Sequence, residues 1–267
     1  MILAVALAAA ACSRSTDRTR IVLTGSSTIA PIAEDLARRY ESTHPNLRID
    51  VQTGGSTRGI LDTRKGLNDI GMVSRALHPD EHDLHATEIA LDGLAVIVHR
   101  SNPVRNLSLT DLRRIYTGAM TRWSELGGKD LPITVVHKAA GRATQELFLK
   151  YTGLADEQIR AQVIIGDNVQ GIRTVAATPG AIAYVSIGSA QWEAAHGAAI
   201  TATAIDGVPA TPAAVATGRY PLVRHLNLVT RPSPPPHVRA FLEWATSPET
   251  APIFRSHGVV PVPAARG

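Results

Sequence analysis

Ile21-Val22-Leu23-Thr24-Gly25-Ser26-Ser27-Thr28-Ile29-Ala30-Pro31-Ile32-Ala33 passes from a short β-branched run, through a polar turn, into an apolar pattern of helical period. Ile29, Ile32, Ala33, Leu36 and Tyr40 recur at helical spacing, and Pro31 sits in the first turn, where its missing N–H is not needed. The stretch reads as strand, turn, helix. The unit then repeats. Leu47, Ile49 and Val51 alternate with Arg48 and Asp50, the turn Gly54-Gly55-Ser56-Thr57 follows, and Ile60, Leu61 and Arg64 continue as a helix that stops near Gly66. Asp69-Ile70-Gly71-Met72-Val73 is a third, buried strand that delivers Ser74 and Arg75 at its carboxyl end. Open α/β sheets bind ligands at that edge.

The two turns have the make-up of an oxyanion site. A helix N-terminus leaves its first N–H groups unpaired and carries a partial positive charge, and Ser or Thr there adds a donor without adding net charge. Either turn by itself reads more simply as an ordinary N-cap. The reading therefore depends on what converges on them.

Leu94-Ala95-Val96-Ile97-Val98 is a further buried strand, after which Ser101-Asn102-Pro103 breaks the pattern and the capping pair Ser108 and Asp111 starts new α/β elements. These comprise a strand over 133–136, the turn Gly141-Arg142-Ala143-Thr144 with a helix through Phe148, a helix near 169–177 and a strand over 181–185. The run 220–230, with Leu222, Val223, Leu226, Leu228 and Val229, reads as a strand returning to the first half. A Pro-rich turn over 232–236 leads to the last predicted helix, 238–245. The pattern predicts two α/β lobes, one of residues 20–99 with 222–267 and one of residues 100–221.

The chain has 267 residues, 44% of them hydrophobic, enough to build two lobes. A net charge of +4, with no Lys/Arg run beyond two residues, argues against nucleic-acid binding. Residues 2–11 are all apolar and end at Cys12, the only cysteine, so no disulfide forms within the chain. Ten residues are too few to span a bilayer but fit a signal-peptide core. Ala9-Ala10-Ala11-Cys12 resembles a bacterial lipoprotein box, in which the cysteine becomes the lipidated first residue, with 13–19 as a tether and 1–19 as the anchor segment.

Four polar loops, 25–28, 54–58, 74–75 and 141–144, are what a cleft needs to surround a small tetrahedral anion. Arg58, Arg75, Lys138 and Arg142 are the candidate cations, and an arginine can grip an oxyanion with two parallel hydrogen bonds. His78, His82 and His85, interleaved with Asp80, Glu81 and Asp83, have a spacing that metal sites use, but Pro79 and the high polarity point to an exposed helix. Trp123 and Trp192 read as packing. A hydrolase using Ser27, Ser56 or Ser74 as nucleophile is the rival from another class; these serines lack a G-x-S-x-G elbow and a histidine beside them in sequence.

The segments 25–31, 54–60, Ile70-Gly71-Met72-Val73-Ser74-Arg75, Tyr116-Thr117-Gly118 with 122–128, 179–185 and Gly258-Val259-Val260-Pro261 resemble, in order, the PstS phosphate-binding proteins of bacterial ABC importers. The resemblance implies a type II periplasmic-binding-protein fold, two α/β lobes joined by a two-strand hinge with a ligand cleft between them. It implies capture of inorganic phosphate outside the cytoplasm by a monomer, and delivery to an ABC permease and ATPase, with no cofactor, metal or covalent chemistry. Its ligand positions match Ser27, Thr28 and Ile29 in the first turn, and Ser56 and Thr57 in the second. They match Ser74 and Arg75 in the third, and Gly141, Arg142, Ala143 and Thr144 in the other lobe. Three departures stand out: the family has Asp at the position of Ser74 and Arg at that of Lys138, while Arg142 stands where Ser is usual. A carboxylate that accepts the proton of a protonated ligand favours phosphate over sulfate, whereas a hydroxyl both donates and accepts. Sulfate, molybdate and tungstate therefore remain alternative ligands. Asp167 is the candidate substitute acceptor, or else the cap of the helix after it.

Overall fold

The computed structural model describes residues 18–262; the apolar segment 2–11 and Cys12 lie outside the described residues. The first half runs β1 (Thr19–Gly25), α1 (Ala30–Thr43), β2 (Leu47–Thr53), α2 (Ser56–Lys65), β3 (Ile70–Val73) and the long β4 (His85–His99). Then follow β5 (Asn106–Leu107), α3 (Leu109–Tyr116), β6 (Thr134–Lys138), α4 (Ala143–Thr152), β7 (Val163–Ile165), α5 (Asn168–Ala177) and β8 (Ala181–Ser186). The chain continues through α6 (Ile187–Ala195), β9 (Ile200–Ala202), β10 (Ala204–Ile205), α7 (Pro212–Ala216) and β11 (Val223–Thr230). It closes with α8 (Pro236–Ala245), α9 (Ala251–Ser256) and β12 (Val260–Pro261).

The strands line up in the order β2-β1-β3-β11-β4-β8-β6-β7. Strand β1 lies parallel between β2 and β3, so the two strand–turn–helix units deliver their turns to one edge. Strand β4 joins the halves. From His85 to Gly93 it pairs antiparallel with β11, and from Leu94 to Val98 with β8. Leu94 to Val98 are buried on both faces, which is why that stretch is an unbroken apolar run.

Two hydrophobic cores flank this strand. Ile21, Leu23, Ile32, Leu36 and Tyr40 close on Phe241, Leu242 and Phe254 in the first. The second gathers the middle of β4 with Tyr116, Trp123, Phe148, Ile172 and Tyr184, the Phe148 and Tyr184 rings stacked with centroids 4.1 Å apart. The first core has its own ring cluster, in which Tyr40 meets Phe241 and Trp244 with centroids 5.2 and 5.0 Å apart.

Three local expectations change. The segment around His78 is a single 3₁₀ turn, Pro79–Glu81, after which the chain enters β4 at His85; the exposed helix does not form. The strand expected at 94–98 is the second half of that fifteen-residue β4. Helix α8 is not the last, since α9 and β12 follow, and β12 pairs with β4 through Val260 and Leu91. Pairing to β4 accounts for the long strand and for β12, while the short turn at Pro79–Glu81 is tied down by Glu81, which accepts from Arg75 and from His78 N.

Candidate functional site

Three loops of the first half are stitched together by their own backbone. Gly54 N and Gly55 N both donate to Gly25 O at 2.9 Å, and Ser26 N donates to Met72 O at 2.8 Å. Gly25 has φ +136°, and a Cβ there would stand 2.2 Å from Met72 O, so only glycine fits. Hydroxyls continue the network. Ser26 Oγ accepts from Thr28 N at 3.1 Å and donates to Ser74 Oγ at 2.9 Å, while Ser56 Oγ accepts from Ser74 N at 3.1 Å.

The turn before α4 closes the other side. Gly55 has φ +95°, and a Cβ there would lie 2.8 Å from Gly141 O, so its bare backbone sets how near the two halves come. Thr57 N donates to that same Gly141 O at 3.4 Å. Between them lies a small cavity lined by Ser26, Ser27, Gly55, Ser56 and Ser74 on one side and Lys138, Arg142, Ala143 and Thr144 on the other. Two basic side chains, Lys138 and Arg142, and no carboxylate border it.

The N-termini around this cavity are not closed by their own side chains. The N-cap residues of α1, α2 and α4, which are Ile29, Gly55 and Arg142, make no side-chain cap bond. Asp167, by contrast, caps α5 by accepting from Gln170 N at 2.8 Å, and Ser108 caps α3. Ser26 Oγ takes the Thr28 N–H ahead of α1 in the manner of a cap, but no hydroxyl of the polar turns caps α2 or α4 at its N-cap residue. Apart from Thr57 N, which Gly141 O accepts, the leading N–H groups of α2 and α4 carry their partial positive charge at the side of the cavity.

Behind the cavity stands a buried ionic cluster that sequence reasoning missed. Arg224, on β11, donates to Asp92 Oδ2 through Nε at 3.0 Å and Nη2 at 2.7 Å, and both side chains are almost wholly buried. Asp92 also accepts from Ser186 Oγ at 3.1 Å. The remaining Arg224 donors reach Thr144 Oγ1 at 2.8 Å and Thr28 Oγ1 at 2.9 Å. Thr28 Oγ1 accepts a second bond, from Asn168 Nδ2 at 3.2 Å. With both lone pairs of Thr28 engaged, its hydroxyl can only donate to anything else. Arg224 thus sets the polarity of one hydroxyl from each half.

Lys138 is 2% exposed, and its Nζ donates to Asn168 Oδ1 at 2.9 Å. Burial is the main force pushing its amine down, to about 7; Arg224 adds to it, Asp167 opposes it and Arg142 adds again. The neighbouring His137 is turned away, between Tyr184 OH at 2.7 Å and Asp156 Oδ1 at 2.8 Å.

Of the residues singled out from sequence, Ser27, Ser56, Ser74, Arg142, Ala143 and Thr144 border the cavity. Thr28, Ile29, Thr57, Arg75 and Gly141 do not. The Thr28 side chain joins through Arg224, and Ile29 is buried in the first core. Thr57 and Gly141 bond to each other across the gap. Arg75 is engaged elsewhere, donating to Glu81 at 2.6 and 2.8 Å, with its Nε 2.9 Å from Glu146 of α4. Burial works against the Glu81 carboxylate, but the hydrogen bonds from Arg75 prevail and hold its pKa below the usual carboxylate value. Ser26, Lys138 and Asn168 complete the surroundings.

Larger cavities are also present, a mostly apolar one of about 530 Å³ beside α8 and α9, a charged groove of about 450 Å³ over α1, β1 and β2, and one of about 360 Å³ between α1 and α6 that shares Thr28 and Ser186 with the cluster above. Size favours them, but Glu34, Asp35 and Glu193 in the 360 Å³ cavity and Glu34, Glu41 and Asp50 in the 450 Å³ groove would repel an anion, and the 530 Å³ cavity is mostly apolar. Among the described residues no helix is long and apolar enough to cross a membrane.

A family model described as a PBP superfamily domain matches residues 11–249. The phosphate-binding protein PstS of Bacillus subtilis (strain 168) is 29% identical over 248 residues, spanning 91% of this chain and 80% of that protein. A crystal structure of a putative phosphate ABC transporter substrate-binding protein from Clostridium perfringens, with bound phosphate, superposes with a TM-score of 0.85. It is 30% identical and covers 91% of this chain and 100% of its own. An ABC-type phosphate transport receptor from Vibrio cholerae superposes with a TM-score of 0.69 at 28% identity, over 91% of this chain and 99% of that one. With this fold, this match along the chain and these relatives, the protein belongs to the PBP superfamily, among its PstS-like members.

Proposed function

We propose that this protein is an extracytoplasmic solute-binding protein that captures inorganic phosphate and delivers it to an ABC permease and ATPase. The observation that carries the reading is a small cavity bordered by Ser26, Ser27, Ser56, Ser74 and Thr144 hydroxyls, the helix N-termini of α2 and α4 without side-chain caps, and the basic side chains of Lys138 and Arg142, with no carboxylate facing it. Such a cage holds a tetrahedral anion through neutral donors and fixed dipoles. Ser27, Ser56, Ser74, Arg142, Ala143 and Thr144 are its direct ligand groups, Thr28 donates its hydroxyl, and Ile29, Thr57, Arg75 and Gly141 shape the loops and the closure.

Residues 20–99 with 222–267 form one lobe and residues 100–221 the other, hinged where β4 and β11 cross. Lobe opening on docking would release the ion. Cys12 anchors the protein by lipid as a monomer. On this reading the cavity binds its ion without covalent chemistry. A chromogenic phosphate ester should accordingly show no turnover.

A second ligand class is favoured by one observation: without a carboxylate, nothing in the cavity wall repels a fully ionised oxyanion such as sulfate, molybdate or tungstate. Calorimetric titration of anion-stripped protein decides between them. Phosphate should bind at micromolar affinity or tighter, roughly −8 kcal/mol. No heat with phosphate, and heat with another oxyanion, would transfer the assignment to that ion.

A further inference from the structure

Lys138 is the least ordinary group in the cage. Its ammonium would be a buried charge with no ion pair, because Asp92, the buried carboxylate nearby, is held by the Arg224 fork and by Ser186. The charged groups on the elements around it are Arg224 from β11, Arg142 before α4 and Asp167 at the start of α5. Asp167 is committed to the Gln170 N–H as a helix cap. From β8 comes only Tyr184, whose hydroxyl oxygen accepts from Lys138 N at 3.3 Å, and on its own strand His137 is held between Tyr184 and Asp156. The Nζ has one protein partner, the Asn168 amide oxygen, so an ammonium would keep two protons without a protein acceptor. An uncompensated charge in such a place is strongly disfavoured, and the group sheds its proton instead.

Resting on the phosphate-capture reading, we infer that Lys138 is the proton acceptor of the cage, a bare amine when the cavity is empty and an ammonium when the anion is bound. The entering anion supplies the missing counter-charge, and the ammonium protons find the acceptors that the protein lacks. The balance is simple. Dihydrogen phosphate gives its proton to Nζ, one O–H bond breaking as one N–H forms, and hydrogen phosphate enters with one proton taken from solvent. The burial that pushes the amine down to about 7 places this switch in the neutral range. The departure from arginine at this position then has a consequence, because a guanidinium stays charged whether or not the ligand is present.

The test is phosphate calorimetry at pH 8.5 in buffers of different ionisation enthalpy, which reads protons taken up per ion. The wild-type protein should take up about one, and its affinity should fall about tenfold per pH unit from pH 8 to 9.5. Lys138→Arg should bind phosphate with no uptake and a Kd that does not move over that range. Equal uptake by wild type and Lys138→Arg would place the proton on the ligand and overturn the inference, as would binding by wild type without uptake. Absence of any phosphate binding by wild type would instead refute the functional reading beneath it. A second readout needs no variant: with ¹³Cε-labelled lysine, the Lys138 signal should titrate near neutrality in anion-free protein and keep its ammonium position at pH 8.5 with phosphate. An ammonium position throughout would overturn the inference.

Discussion

Replacing Arg224 with methionine tests how the cage is held together. The side chain of Arg224 is almost completely buried and makes two bonds to Asp92 and one each to Thr28 and Thr144. Methionine fills most of the volume but leaves the Asp92 carboxylate buried with Ser186 as its remaining partner. Removing one member of a buried ion pair destabilises by about 3–5 kcal/mol. Replacing both, in Arg224→Met/Asp92→Leu, removes the unpaired charge and should recover most of that loss. Binding should behave differently. Each threonine hydroxyl loses a charged donor, a contact of about 1.5–3 kcal/mol, so phosphate affinity should fall about ten- to a hundredfold in both variants. Urea unfolding of anion-free protein reads the first quantity and calorimetric titration the second. A single variant as stable as wild type, or a double variant with wild-type affinity, would refute the reasoning.

Arg142→Ala should weaken phosphate binding tenfold or more while Arg58→Ala changes it less than about twofold, because Arg142 borders the cavity and Arg58 is a half-exposed partner of Asp62; equal effects in calorimetry would show the charge to be misplaced. Ser74→Asp puts a carboxylate among Ser26 and Ser56, and competition titrations should then show preference for phosphate over sulfate rising at least tenfold. Unchanged selectivity would mean that Ser74 does not meet the ligand. Glu146→Gln removes the α4 carboxylate that faces Arg75, which follows β3, and stopped-flow release of phosphate should speed up several-fold; unchanged release would mean that this pair has no part in closure.

The strand–turn–helix units were legible because their signals are local: apolar period switching from two to three or four across a Gly-Ser turn. The cavity-facing Ser56, Ser74 and Thr144 were legible for the same reason, since each follows a strand end. Arg224 was not, although a signal exists. It stands in phase with Leu222, Leu226 and Leu228 on a strand whose alternate positions point inward. Asp92, between Ala90 and Leu94 in the same phase, is its counterpart on β4. A charge at an apolar phase predicts a buried partner, but which partner depends on the antiparallel register that sets Arg224 opposite Asp92. Arg75 misled for the converse reason. Its place after Ser74 suggested the cage, while its long side chain reaches Glu81 and Glu146 instead.

The central claim is that the polar cavity between the two cores is the anion site. A crystal structure of the protein purified in phosphate tests it most directly. Tetrahedral density should lie within hydrogen-bonding distance of Ser56, Thr144 and Lys138. An empty cavity in protein that binds phosphate in solution, or tetrahedral density bound elsewhere, would contradict it.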